Sequence, residues 1–181
     1  MSSEVVATVA RDRRMLAVAR SVLGDAAFPF RATLFDKSSC ANWLVVWHQD
    51  TALPIRTRLD AGGWGPWSVK DGVSYARAPA RALEHILALR LHLDDSTEQN
   101  GALRVLPGTH NRGVLSDEEV ERLSRELRAE DCIASQGSVL VMRPLLIHSS
   151  SKSQNDFPRR VLHIEYAASA SVGDGLELAI A

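Results

Sequence analysis

Two cysteines in 181 residues, Cys40 and Cys132, are too few for a disulfide framework or a thiolate cluster, so any metal site must be built from histidine and carboxylate. Charge of one sign is equally scarce. With 21 Lys and Arg against 22 Asp and Glu the formal net charge is −1, no basic face is signalled, and nucleic acid is not an expected partner. No apolar run approaches the length that spans a bilayer, and MSSEVVATVARDRRM lacks the apolar centre of a secretory signal. A membrane is therefore not an expected partner either, and the expected location is the cytoplasm. What is present is 45% hydrophobic and 24% charged residues, an ordinary globular composition, at a length that suits one domain over 1–181.

Val5, Val9, Leu16, Ala19 and Leu23 recur at helical spacing, which predicts a helix over 3–23 that stops at Gly24. RATLF (31–35) and NWLVVWH (42–48) read as strands, bounded by Pro29, the polar stretch 36–39 and a proline turn at Pro54. Residues 56–78, with GGWGPW and DGV, show little periodicity and read as a long irregular loop, a feature that is usually functional inside a compact domain. A helical turn is expected over 79–87. It leads into LRLHLDD (89–95), where alternation predicts a half-buried strand. Asn100-Gly101 and Pro107-Gly108 are turns around ALRVL, and Ser116 three residues before Glu119 is a capping box opening a surface helix over 116–127. CIAS (132–135), SVLVM (138–142), LLIHSS (145–150) and RVLHIEY (160–166) complete a set of closely spaced strands. Strands on both sides of one helix, without regular strand–helix alternation, predict an antiparallel sandwich or jelly roll with a concave mouth.

Six histidines are available, and His-x-Asp occurs twice, at His48/Asp50 and His92/Asp94, where composition alone predicts roughly 0.4 occurrences. Residues i and i+2 of a strand share a face and can grip one ion from one side. Two histidines and a carboxylate on one face of an octahedron leave the opposite positions open, the arrangement of non-haem Fe(II) oxygenases. For either pair the best third ligand is His148, which stands where the apolar run RPLLI turns polar. His110 reads as a turn residue, His163 as a strand histidine satisfied by a neighbour and His85 as solvated. Arg159, eleven residues after His148, opens the last long strand. An antiparallel neighbour there would aim a rigid guanidinium fork, suited to a carboxylate, into the same cavity.

Taken together, HQD at 48–50, NGALRVLPGTH at 100–110, and His148 followed by Pro158-Arg159 resemble the phytanoyl-CoA dioxygenase family of Fe(II)- and 2-oxoglutarate-dependent oxygenases, which includes ectoine hydroxylases. The resemblance runs from about Ala32 to Tyr166. It implies an all-β core with flanking helices, a double-stranded β-helix (a cupin-like jelly roll) holding one Fe(II). It also implies His48, Asp50 and His148 as metal ligands and Arg159 as the partner of the distal carboxylate of 2-oxoglutarate, with Ser150, Gln49 and Trp67 at the same cosubstrate. Under it His92 faces the pocket at most, and Lys37 is a candidate to assist with a carboxylate.

The implied reaction is hydroxylation of a small molecule with 2-oxoglutarate and O2 as cosubstrates. A carboxylate at position 50 sets it apart from halogenating relatives, in which a small residue leaves room for chloride. Trp64 and Trp67 offer aromatic walls for the substrate pocket. No basic cluster suits the phosphates of coenzyme A, and the expected substrate is a small polar metabolite or a natural-product intermediate. Two departures from the family pattern are visible: the region before the first strand is short, and SSSKSQND stands where a glycine-containing turn often follows the distal histidine. Two other readings remain, a non-catalytic cupin-like binding domain and a Zn(II) enzyme on the same fold.

Overall fold

The computed structural model describes residues 3–38 and 41–180, so Ser39 and Cys40 of the polar turn lie outside the described residues. The N-terminal helix is two helices, α1 (Glu4–Ala10) and α2 (Arg13–Leu23). The break falls at Asp12, whose extended backbone and side chain cap α2 by accepting from Arg14 N at 2.8 Å. Gly24 ends α2 as its spacing predicts.

β1 (Phe28–Lys37) begins before Pro29 rather than after it, and β2 (Val45–His48) is shorter than the apolar run predicts. Pro54 lies inside β3 (Ala52–Ile55) rather than in a turn, and β3 was not foreseen. Part of the expected irregular loop is a hairpin, β4 (Trp67–Lys70) and β5 (Val73–Arg77), closed by Asp71 and Gly72 at positive φ. α3 (Ala80–Leu83) precedes β6 (Ile86–His92), which is buried along almost its whole length rather than half-buried. β7 (Leu103–Val105), α4 (Asp117–Glu126) with its Ser116 capping box, β8 (Glu130–Cys132) and β9 (Val139–Met142) follow. β10 (His148–Ser150) covers only the second half of the expected 145–150, and β11 (Arg159–Ala167), β12 (Ser171–Gly173) and β13 (Leu176–Glu177) complete the set.

The strands form sheets ordered β1-β11-β6-β9, β2-β10-β7-β8, β3-β5-β4 and β12-β13. Residue contacts divide the chain into two compact units. The first comprises 1–32, 51–89 and 164–181; the second comprises 33–50 and 90–163. In the first, Leu53, Ile55, Ala76, Ile86, Ile164 and Tyr166 are buried, and Tyr166 Oη donates to Ala10 O at 2.8 Å. Among the described residues no helix is long and apolar enough to cross a membrane.

In the second unit, α4 lays Val120 and Leu123 against Leu106 and Ile147, with Trp47 and Leu115 packed around them. Trp47 and Ile147 immediately precede the two histidines of interest. Strand alternation thus turns one side chain of each dipeptide onto α4 and the other to the opposite face. Burial of a side chain such as Ile147, which is fully enclosed, contributes about 1.5–3 kcal/mol to holding that arrangement.

Candidate metal centre

β10 lies between β2 and β7, antiparallel to both, in a register that pairs His148 with His48. The imidazole centroids are 4.2 Å apart with the rings tilted by 52°. Asp50, just past the end of β2, is anchored by its own N–H donating to Pro144 O at 2.9 Å. Its Oδ1 lies 3.5 Å from His48 Nε2 and its Oδ2 3.7 Å from His148 Nε2. One donor atom from each residue lies within 4.8 Å of the others.

Both imidazoles are oriented from behind. His48 Nδ1 sits 2.8 Å from Val46 O and His148 Nδ1 2.9 Å from Leu146 O, so each Nδ1 carries a hydrogen and each Nε2 is turned toward Asp50. Both Nε2 atoms then face the Asp50 oxygens, and the interaction with Asp50 raises the His48 imidazole against the cost of its burial. An open two-histidine, one-carboxylate face of this kind fits a divalent ion such as Fe(II). Burial pushes the Asp50 carboxyl up, but the His48 hydrogen bond and the nearby His148 and His163 hold it well below the usual carboxylate range. The oxygens are anionic wherever a metal would compete for them.

Beside the triad is a cavity of about 90 Å³, lined by His48, Asp50, His148, Ser150, Arg159 and Arg90 among others. Its second feature is cationic. Arg159, 3% exposed at the head of β11, donates to Ser150 Oγ at 3.2 Å and to Asn100 O at 3.3 Å. Lys37, fully buried, donates to Ser150 Oγ at 2.8 Å and Ser151 O at 2.5 Å. Loss of hydration, reinforced by the charge of Arg159, brings the Lys37 ammonium down to about 8. Gly101 closes this corner at φ +73°: a Cβ there would fall on Ser151 O and lie 3.3 Å from Lys37 Nζ. Arg159 reaches the cavity from a different sheet, because β11 pairs with β1 and β6 and not with β10 as its spacing from His148 suggests.

Two expectations are corrected. Gln49 is a strut rather than a cosubstrate contact: its Nε2 donates to Gly113 O at 2.9 Å and Leu145 O at 2.8 Å, and its Oε1 accepts from Leu115 N at 2.9 Å. These three bonds engage both ends of its amide just past the end of β2. The second His-x-Asp pair is not a metal grip, because both oxygens of Asp94 are taken by Arg160, whose N, Nε and Nη2 each donate at 2.8 Å. His92 is buried on β6 and neither ring nitrogen has a partner among the described residues. Burial and the neighbouring Arg90 and Arg159 hold its pKa down to about 4, so it is neutral. Trp64 and Trp67 belong to the first unit. There Trp64 Nε1 donates to Asp174 Oδ2 at 2.9 Å, and the Arg58 guanidinium lies 5.5 Å from the Trp67 ring centre.

The residue that sequence reasoning missed is Arg90. It lines the cavity, lies 5.3 Å from the Phe35 ring centre and has its Nη1 3.0 Å from His163 Nδ1. Its only sequence signal was its place in a leucine alternation, which reads as a solvent-facing charge.

Comparison with known proteins matches this arrangement. The chain is 25% identical over 188 residues to an ectoine dioxygenase of Sphingopyxis alaskensis, covering 92% of this chain and 55% of that protein. It is 23% identical over 189 residues to an L-proline trans-4-hydroxylase of Streptomyces griseoviridis, covering 90% and 63%. The chain thus spans between about half and two thirds of the length of these curated relatives. The crystal structure of EctD from S. alaskensis with 2-oxoglutarate and 5-hydroxyectoine superposes with a TM-score of 0.66 at 22% identity, over 92% of this chain and 53% of that one. That likeness establishes the fold as a double-stranded β-helix. A family model described as phytanoyl-CoA dioxygenase (PhyH) matches residues 1–161. With a His-Asp-His triad standing where that pattern needs it, the chain belongs to the phytanoyl-CoA dioxygenase family of Fe(II)- and 2-oxoglutarate-dependent oxygenases.

Proposed function

We propose that this chain is a dioxygenase that uses Fe(II), 2-oxoglutarate and O2 to hydroxylate a small polar molecule, with His48, Asp50 and His148 as the metal ligands. The observation that carries the reading is the presentation of two Nε2 atoms and a carboxylate toward one point, in a cavity also lined by the buried Arg159 guanidinium, with the Lys37 ammonium adjoining it through Ser150. When bound, the metal and 2-oxoglutarate supply oxidative decarboxylation to succinate and CO2 coupled to hydroxylation of a C–H bond.

The chain's own residues bind and orient. Arg159, Lys37 and Ser150 form one corner of donors, and Arg159 offers a planar fork to the distal carboxylate while Lys37 adds a point charge. Ser150 receives both cations through a single oxygen and passes its own hydrogen to Gly101 O at 2.8 Å, which fixes the corner before ligand arrives. The backbone carbonyls of Val46 and Leu146 hold both imidazoles in the ligating tautomer.

A zinc hydrolase has no use for a buried dicarboxylate clamp, and a purely binding domain has no use for an open triad. The names of the relatives, ectoine dioxygenase and L-proline trans-4-hydroxylase, support a small polar substrate. Action as a single domain over 1–181 and a cytoplasmic location belong to the same proposal. The test is anaerobic loading with Fe(II), addition of 2-oxoglutarate, then admission of O2. Succinate is expected from the wild-type chain, including slow uncoupled turnover without substrate, and none from His148→Ala. No succinate from iron-loaded protein across a panel of amino acids and related metabolites refutes the proposal.

A further inference from the structure

The cavity and the Lys37 corner adjoining it hold more positive charge than one distal carboxylate needs. Lys37, Arg90 and Arg159 are 0%, 6% and 3% exposed, and none of the three has a carboxylate partner within salt-bridge distance among the described residues. Lys37 and Arg159 converge on Ser150. Arg90 stands apart from that corner. Its Nη1 donates to His163 Nδ1, its face rests near the Phe35 ring, and its Nε has no partner among the described residues. A buried guanidinium with no counter-charge is costly, so the protein has placed it where an anion arrives.

Which anion follows from the cavity. Asp50 is the only carboxylate among its lining residues, and its negative charge offsets part of the burial cost of Arg90. Once Asp50 is committed to a divalent ion, that compensation is spent and Arg90 needs a second anion close to the metal. A volume of about 90 Å³ leaves room for little beyond the cosubstrate itself. Resting on the reading above, we propose that Arg90 receives the metal-chelating carboxylate of the 2-oxo acid, so that the cavity grips the two ends of a dicarboxylate with separate cations: Arg159 with Lys37 at one end, Arg90 at the other. His163 and Phe35 are positioning residues that hold the Arg90 head. The pocket is then selective for a 2-oxo acid first and for a dicarboxylate second.

Two ligands separate the ends. 2-Oxoglutarate carries both carboxylates, whereas 2-oxobutyrate keeps the 2-oxo acid and lacks the distal one. Calorimetric titration of Fe(II)-loaded protein under anaerobic conditions reads binding without turnover. Arg90→Gln is expected to weaken both ligands by the same factor, about tenfold or more, while Arg159→Gln weakens 2-oxoglutarate alone and leaves 2-oxobutyrate within about twofold. Arg90→Lys keeps the charge and loses the fork, and it is expected to weaken both equally but less than Gln. If Arg90→Gln does not give folded protein by circular dichroism, the equality of the two factors is read in Arg90→Lys. Unchanged affinity for both ligands, or a loss confined to 2-oxoglutarate, overturns the assignment of Arg90. Failure of the wild-type protein to bind 2-oxoglutarate in the presence of metal is a different result: it overturns the dioxygenase reading and this inference with it.

Discussion

Lys37 carries an electrostatic cost that the fold accepts at its binding corner. Its folded pKa of about 8 lies below its ordinary 10.5, so between those values the unfolded chain binds more protons and stability rises with pH. The penalty is fully present below about pH 8 and is relieved above it. Urea titrations of ligand-free wild-type and Lys37→Met protein at pH 7 and pH 10 are expected to show the stability difference shifting in favour of the wild type at the higher pH. The same deprotonation removes a cation from the clamp, so 2-oxoglutarate affinity is expected to fall as pH rises through about 8 in the wild type and to stay flat in Lys37→Met. An invariant difference between the two proteins in both experiments refutes a buried, titrating Lys37. At this scale the sequence was legible where chemistry has a spacing: His48, Asp50, His148, Ser150 and Arg159 line one cavity, and Lys37 adjoins it through Ser150. Arg90 was not legible, because a charge alternating with leucine looks the same whether the polar face meets water or a binding cavity.

Among the elements, the tripeptide His48-Gln49-Asp50 joins two tasks at the end of β2. The outer residues face the cavity while Gln49 ties the end of β2 to the segment ahead of α4 and to the loop ahead of β10. Gln49→Ala removes three hydrogen bonds, one of them to the buried Leu145 carbonyl, a loss of about 1–3 kcal/mol. Thermal denaturation is expected to show that loss, and metal titration is expected to show weaker binding although no ligand is touched. Metal affinity equal to wild type in a destabilised variant would separate the strut from the site. The capping box of α4 and the glycine turns were readable because each signal is local in the chain. β3 and the β4–β5 hairpin were not, because Pro54 and the glycines around residues 62–72 read as loop signals, and pairing between β3, β5 and β4 overrides that local preference. β10 was expected over 145–150 and covers 148–150, because apolar residues ahead of His148 read as strand although Ile147 is buried against α4 outside it.

For the whole molecule, ligand binding is a stability term. A ligand that binds only the folded chain at a hundred times its Kd adds about 2.7 kcal/mol. Fe(II) under anaerobic conditions is expected to raise the melting temperature, and 2-oxoglutarate to raise it further in the presence of metal, with neither effect in Asp50→Ala. A rise produced by 2-oxoglutarate alone and unaffected by the loss of Asp50 would favour a metal-independent binding domain. The bearing of each metal-facing imidazole comes from a carbonyl two residues upstream, Val46 O for His48 and Leu146 O for His148. The tautomer of each ring is thus set within a three-residue span of chain. Grafting these two spans side by side onto an unrelated antiparallel ribbon would carry the tautomers with them.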